Sequence, residues 1–188
     1  MIIVGDSAGG NLTAALLFHS AHPHPGVERL NLCGRLLGGA FLVSPWVTFK
    51  TTSQSMKRNV YGDYVDHDSI RRAAGLFADG MEDTYCAPLT ATATSWKGIK
   101  VRHLAIVAGE FEIMVDDIIQ FAENVKKYNL DAQFHVAAKE THVQMVVSRL
   151  LRLPVAESEV FFENGCIQYL INILRSIRGP KPAYGPLS

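Results

Sequence analysis

Four short apolar runs, separated by longer polar or amphipathic stretches, set the pattern of this chain. They cover residues 2–4, 36–43, 103–108 and 131–138, and each predicts a strand. The first three are continuously apolar, which is typical of parallel strands buried on both faces, while the fourth alternates roughly. Because a helix-compatible stretch follows each run, the order predicts an α/β fold of about four parallel strands flanked by helices.

The helices are predicted from spacing and from residues that start or stop them. Residues 8–21 predict a helix that ends at the sequence His-Pro-His-Pro-Gly, because proline cannot continue a helix. Residues 116–128, 143–151 and 157–177 predict three more, the last with apolar residues at helical spacing. Within the irregular stretch 50–99, Asp68-Ser69 predicts an N-cap for a helix over 70–77.

Length, charge and cysteine content limit the class of protein to which this chain can belong. The 188 residues suffice for one domain, predicted over 1–178, before a disordered tail over 179–188 that begins Gly-Pro-Lys-Pro. Lys and Arg balance Asp and Glu at 18 each, so nothing indicates a nucleic acid or membrane partner. No apolar run is long enough to span a bilayer. The three cysteines lack metal or redox spacing, and without a signal peptide they predict reduced thiols in the cytoplasm.

The candidate chemistry begins in the first turn. Gly5-Asp6-Ser7-Ala8-Gly9 has the form G-x-S-x-G and lies between a predicted strand and a predicted helix. In that context it predicts a nucleophile elbow, with Ser7 exposed on a strained corner. We expect glycines there because the chain passes close to itself, and we expect the Ala8 N–H to face a developing oxyanion. A phosphate-binding turn is the alternative, but G-x-G-x-x-G and the Walker lysine are absent.

Extended by Gly10-Asn11, this segment resembles the G-D-S-A-G-G-N elbow of the hormone-sensitive-lipase-like esterase group of α/β-hydrolases. The similarity can be followed from residue 2 to about residue 177. It implies an α/β-hydrolase domain of which this chain is the C-terminal half, with a partial cap insertion over about 50–99. The group's H-G-G-G loop, which supplies further oxyanion donors, does not occur in the chain.

The resemblance also implies a catalytic acid. Residues 109–117 are similar to the group's pattern G-x-x-D-x-L-x-D-[DE], which places Glu112 on the position of the acid. Glutamate replaces the usual aspartate there, a change that the fold accepts. Glu110, Asp116 and Asp117 are the alternatives. The last two already have a structural explanation, because acidic residues in the first turn of a helix complement its dipole.

The catalytic base of the group lies in the loop after the following strand. His142 occupies that loop in this chain, 30 positions after Glu112. The competing His135 lies inside the predicted strand, where its ring would face a packed layer. Val143 follows His142 at a position where the group often has glycine, and we expect its side chain to crowd the loop.

Two residues are predicted to bind substrate. Asp6 lies beside the nucleophile, and Trp46 follows the second strand, where the resemblance places an aromatic side chain near the acyl pocket. Core packing is the alternative for Trp46 and the one that we favour. The polar and aromatic side chains of the stretch 59–64 either border the substrate or belong to a surface loop; they are Asn59, Tyr61, Asp63 and Tyr64.

The order Ser7, Glu112, His142 is that of nucleophile, acid and base in α/β-hydrolases. It predicts a serine hydrolase that cleaves small carboxylic esters or lactones through an acyl-enzyme, without a cofactor or metal. The alternatives are a hydrolase-fold tailoring enzyme of secondary metabolism and an inactive remnant that serves as a binding module. With few oxyanion donors and an apolar first strand at a sheet edge, we expect weak activity and dimerisation through that edge.

Overall fold

The computed structural model describes residues 1–177 and has a four-stranded parallel sheet in the order β1-β2-β3-β4. The strands are β1 Ile2–Asp6, β2 Gly39–Val43, β3 Leu104–Gly109 and β4 Gln133–Ala137. The α-helices are α1 Ala8–Ala21, α2 Gln54–Arg58, α3 His67–Ala78, α4 Val115–Lys126, α5 Gln144–Leu151 and α6 Glu157–Ile177, with 3₁₀ turns at Pro88–Thr90 and Ala93–Trp96. The prediction of an α/β fold with four parallel strands is therefore confirmed.

Helices cover both faces of the sheet. Along β2 and β3, alternate side chains point to opposite faces, so Leu42 and Ile106 pack in the main core with α1 and α4. On the other face, Val43 and Val107 pack with Val143 and, from α6, with Phe161. Because of this two-sided cover, β2 and β3 are buried along their whole length. The two-sided cover explains why their sequences are continuously apolar.

The register brings the carboxyl ends of the strands together. Asp6 of β1 pairs with Val43 of β2, which in turn pairs with Val107 of β3. Parallel strands end at one edge, so the residues that follow β1 to β4 meet there. Among the described residues, β1 pairs with β2 alone, and its Val4 side chain is 54% exposed.

The boundaries of several elements differ from the prediction. The strand predicted over 36–43 starts at Gly39, and Leu37 forms only an isolated bridge with Val101. The N-cap predicted at Asp68-Ser69 is wrong, because α3 starts earlier and Asp66 is its cap. The Asp66 carboxylate accepts a hydrogen bond from the Ser69 backbone N–H at 2.7 Å. The predicted disordered tail, residues 179–188, lies outside the described residues.

Two further observations concern membrane spans and metal binding. No helix within residues 1–177 combines the length and apolar character that spanning a bilayer requires. Over the same residues, no three or more His, Cys, Asp or Glu side chains are grouped so that they could hold a metal ion.

Candidate active site

Ser7, His142 and Glu112 form a hydrogen-bonded chain at the carboxyl edge of the sheet. His142 Nε2 lies 2.8 Å from Ser7 Oγ, and His142 Nδ1 lies 3.1 Å from Glu112 Oε2. Glu112 is fully buried and His142 is 4% exposed, while Ser7 is half-buried. In this arrangement the imidazole is able to accept the Ser7 proton while the carboxylate accepts the opposite ring N–H.

The turn at Ser7 is strained and is held by β2. Ser7 has φ 51° and ψ −115°, a backbone conformation that non-glycine residues rarely adopt. Its N–H donates to the Val43 carbonyl at 2.9 Å, and its carbonyl accepts from the Trp46 N–H at 3.0 Å. The Ser7 carbonyl also accepts the first hydrogen bond of α1, from the Asn11 N–H at 3.1 Å. These hydrogen bonds to the N–H and the C=O of Ser7 hold its backbone in the strained conformation.

The predicted close approach of the chain is found at Gly5 but not at Gly9. A Cβ at Gly5 would lie 2.1 Å from the Gly9 carbonyl oxygen, so only glycine fits there. At Gly9 a Cβ would be in ordinary contact, 3.7 Å from Asp6 Oδ1, and the close-approach explanation is wrong for that position. The second crowded glycine of the elbow is Gly10, where a Cβ would lie 2.8 Å from Pro45 Cα.

Glu112 receives three hydrogen bonds in the buried edge of the sheet. Its Oε1 accepts from Ser44 Oγ at 2.6 Å and from the Gly109 N–H at 2.5 Å, while Oε2 faces His142. A carboxylate anion is an acceptor with two oxygens, which suits three converging donors. The same Ser44 Oγ accepts from the Val143 N–H at 3.0 Å and so joins the acid loop to the histidine loop.

Ser44 was missed in the sequence analysis. It follows β2 directly, and its φ of 46° turns the buried side chain toward Glu112. Polar residues that directly follow parallel strands meet at one edge of the sheet. This rule covers Ser44 as well as Ser7, Glu112 and His142.

Parts of the stretch 59–64 do not form a simple surface loop, one of the two alternatives that the sequence leaves open. Asn59 is buried, and its amide donates to the backbone carbonyls of Glu110 and Glu112. The Tyr64 hydroxyl donates to the His142 carbonyl at 2.8 Å. Burial raises the pKa of the Tyr64 phenol, and nearby carboxylates add to the effect, so the donor keeps its proton. Tyr61, by contrast, is 99% exposed.

The residues considered as alternatives to Glu112 and His142 have other partners: Glu110, Asp116, Asp117 and His135. Glu110 accepts from the Lys139 N–H, and Asp116 pairs with Arg58. Asp117 accepts from Ser53 Oγ, and burial raises its pKa, with Asp116 adding to the effect. His135 lies 2.8 Å from a Glu157 oxygen and stacks on Phe161. None of these contacts reaches Ser7.

The remaining predicted site residues lie around the elbow. Ala8 is exposed and is the first residue of α1, where backbone N–H groups have no acceptor within the helix. Asp6 is exposed at the end of β1. Trp46 is 7% exposed in the main core, where its ring contacts Phe49 and Phe77. This position agrees with the core packing that the sequence favours for Trp46.

An apolar groove runs beside α1, away from the hydrogen-bonded chain. Its volume is about 440 Å³, and it does not include Ser7, Glu112 or His142. Its walls come from α1, α3 and the segments that follow them, with Leu12, Leu16, Val27, Phe77, Met81 and Tyr85 among the lining residues. The groove is therefore separate from the hydrogen-bonded chain of Ser7, His142 and Glu112.

Val143 carries a strain that a matched pair of variants would measure. It has φ 51° and ψ 35°, a left-handed conformation that is unfavourable for a β-branched residue, and it is 6% exposed. Val143→Ala and Val143→Gly both remove the two methyl groups of the buried side chain. Glycine also lacks Cβ, but it adopts the left-handed conformation freely. We expect Val143→Gly to exceed Val143→Ala in free energy of unfolding by about 1 kcal/mol in urea titrations. An alanine variant of equal or greater stability would contradict a strained Val143.

The site combines a strained serine turn between a parallel strand and a helix with a histidine and a carboxylate that follow later strands. This combination defines the α/β-hydrolase class. Consistent with this, the sequence model of the family described as alpha/beta hydrolase fold matches residues 1–146. The chain belongs to this family. A search of curated proteins finds no match.

Solved esterase structures have the same fold. EstE5 soaked with ethyl alcohol is 24% identical, with a TM-score of 0.71, over 90% of this chain and 53% of that one. An esterase from the bacterial hormone-sensitive lipase family is 25% identical, with a TM-score of 0.64, over 81% and 47%. Carboxyl esterase 2 of the mycorrhizal fungus Tuber melanosporum is 22% identical, with a TM-score of 0.62, over 76% and 45%. The chain spans about half the length of these proteins.

Proposed function

We propose that this chain carries the catalytic residues of a carboxylic-ester hydrolase that works through an acyl-enzyme. Ser7 is the nucleophile, His142 the general base and then acid, and Glu112 the carboxylate that orients the imidazole. The observation that carries the proposal is the chain of two hydrogen bonds, 2.8 Å and 3.1 Å long, from Ser7 through His142 to a buried Glu112. Esters or lactones of small carboxylic acids are the proposed substrates.

In the proposed reaction, His142 Nε2 takes the proton of Ser7 as Oγ attacks the substrate carbonyl carbon. The oxygen of the tetrahedral intermediate becomes negative and receives a hydrogen bond from the Ala8 N–H. The alcohol then leaves with the proton from His142, and the acyl group stays on Ser7. Water, deprotonated by the same nitrogen, attacks the acyl carbon. The bond from that carbon to Ser7 Oγ then breaks, His142 returns the proton to Oγ, and the carboxylic acid leaves. Throughout, Glu112 accepts the Nδ1–H and stabilises the imidazolium.

The solved relatives support the choice of ester chemistry. One EstE5 crystal was soaked with p-nitrophenyl butyrate, a short-chain ester, and another EstE5 structure is described with PMSF. EstE5 is 25% identical to this chain in both comparisons. We therefore take p-nitrophenyl butyrate as the substrate and a fluorophosphonate as the serine probe for testing this protein.

Fluorophosphonate labelling, followed by peptide mapping by mass spectrometry, tests the proposal. We expect one covalent adduct, on the peptide that contains Ser7, because a base-activated serine attacks the phosphorus as it would a carbonyl carbon. Ser69→Ala is the matched control, since Ser69 is exposed on α3. That variant should be labelled like the unchanged protein. An unlabelled Ser7 in folded protein, or an adduct at another serine, would overturn the proposal.

A further inference from the structure

The segment of residues 59–64, between α2 and α3, binds the backbone of both loops that carry Glu112 and His142. We name it the clamp segment. Asn59 donates its amide protons to the carbonyls of Glu110 and Glu112 at 2.9 Å and 2.8 Å. At the other end of the segment, Tyr64 donates its hydroxyl proton to the His142 carbonyl at 2.8 Å. The segment therefore contacts one loop after β3 and another after β4.

Asp63 is the residue of the clamp segment that joins the two loops directly. Its Oδ2 accepts the N–H of Ile113, the residue after Glu112, at 2.9 Å. Its Oδ1 accepts the N–H of His142 at 3.2 Å and the N–H of Tyr64 at 2.9 Å. One carboxylate thus ties the acid loop to the histidine loop. The Asp63 carboxylate and the Tyr64 hydroxyl together hold the backbone of His142, the first at its N–H and the second at its C=O.

We propose that Asp63 is a positioning residue that sets the distance and orientation between Glu112 and His142. The inference rests on the ester hydrolysis proposed above and adds to it a residue that touches neither Ser7 nor substrate. The hydrogen bond that it sets is the one between His142 Nδ1 and Glu112 Oε2, 3.1 Å long, whose two partners come from loops 30 positions apart in sequence. The hydrogen bonds that hold the two loops are accepted by the carboxylate of Asp63. Hydrogen bonds to a carboxylate anion are roughly twice as strong as neutral ones, which suits a residue that positions both loops.

Both carboxylate oxygens of Asp63 accept hydrogen bonds, so replacement by asparagine removes one acceptor and leaves the size of the side chain unchanged. In Asp63→Asn, the amide group keeps the shape of the carboxylate but has one oxygen and one NH₂. Whichever way it turns, NH₂ faces a backbone N–H, that of Ile113 or those of His142 and Tyr64. One of the two loops is then released. Misplacing a catalytic group by about 1 Å can lower a rate about 100-fold.

Asp66→Asn is the matched control, with the same chemical change three positions further on. Asp66 caps α3 by accepting the Ser69 N–H, and asparagine caps helices as well as aspartate does. We expect Asp63→Asn to lower kcat for p-nitrophenyl butyrate by about 10- to 100-fold, per titrated Ser7 and with KM unchanged. We expect Asp66→Asn to leave both constants unchanged. A merely structural role would reduce the amount of active protein but not the kcat of each active site.

Proton NMR of the His142 Nδ1–H supplies a readout that does not depend on turnover. A ring proton hydrogen-bonded to a buried carboxylate resonates far downfield, and we expect this signal in the unchanged protein and in Asp66→Asn but not in Asp63→Asn. Loss of the signal with no labelling of Ser7 in any variant would overturn the hydrolase proposal and support the positioning role. Equal kcat and an unchanged signal in Asp63→Asn, with Ser7 labelled, would overturn the positioning role alone.

Discussion

Replacement of Ser7 by alanine is expected to lower the rate of p-nitrophenyl butyrate hydrolysis at least about 10³-fold, because the acyl-enzyme route needs the Ser7 hydroxyl. Removal of the nucleophile costs on the order of 10⁶ in a complete serine-hydrolase site. The loss is measured as a slower release of p-nitrophenol.

The Ser7→Ala variant should fold as the unchanged protein does. Alanine meets the same backbone strain at φ 51° as serine, and the backbone contacts of residue 7 with β2 do not involve its side chain. Equal melting temperatures would show that the loss of rate comes from the missing hydroxyl. Hydrolysis by Ser7→Ala at more than a tenth of the original rate would rule Ser7 out as the nucleophile.

Glu112→Gln is expected to lower kcat almost as much, on the order of 10³-fold, because the members of such a site act as a unit. The two oxygens of Glu112 have different partners. Oε1 accepts two donors, Ser44 Oγ and the Gly109 N–H, whereas Oε2 faces His142 alone. The glutamine carbonyl must therefore occupy the Oε1 side, and its NH₂ must face His142 Nδ1. That contact favours the imidazole tautomer with its proton on Nε2, which cannot accept the proton of Ser7.

Glu110→Gln provides the comparison for that result. Glu110 lies two positions away on the same loop, and its side chain accepts the Lys139 N–H. Because it contacts no member of the hydrogen-bonded chain, we expect kcat to stay within twofold of the original. A larger loss in Glu110→Gln than in Glu112→Gln would assign the acid to Glu110. The measurement is again p-nitrophenol release, per titrated Ser7.

The strands and the elbow at Ser7 could be predicted from sequence because their causes are local. A strand covered on both faces must be apolar throughout, which makes β2 and β3 visible as runs. A sharp strand-to-helix turn needs glycine at Gly5, where a Cβ would lie 2.1 Å from another backbone atom. Glu112 and His142 follow strand ends, and parallel strands bring such positions to one edge, but the resemblance to the esterase group was needed to choose them over their neighbours. Their catalytic roles stay a proposal until tested.

The supporting residues could not be predicted in the same way because their partners are set by how distant loops cross. Asn59 and Asp63 bind backbone atoms 50 or more positions away, and side-chain contacts to distant backbone leave no periodic pattern in the sequence. Asp66 and Asp68 are both suited to cap a helix, and the choice between them depends on where the extended backbone ends, at Asp66.

The strand order also determines how the site assembles as the chain folds. Ser7 and His142 are 135 positions apart, a separation that would make direct closure entropically costly. Because each strand pairs with the next one along the chain, every pairing step closes only the connection between two neighbours. After β3 and β4 have joined, the two residues lie just past the ends of strands that are already aligned, and their side chains are brought to the same edge of the sheet. A fold of this topology thus brings two distant residues together through a series of shorter closures.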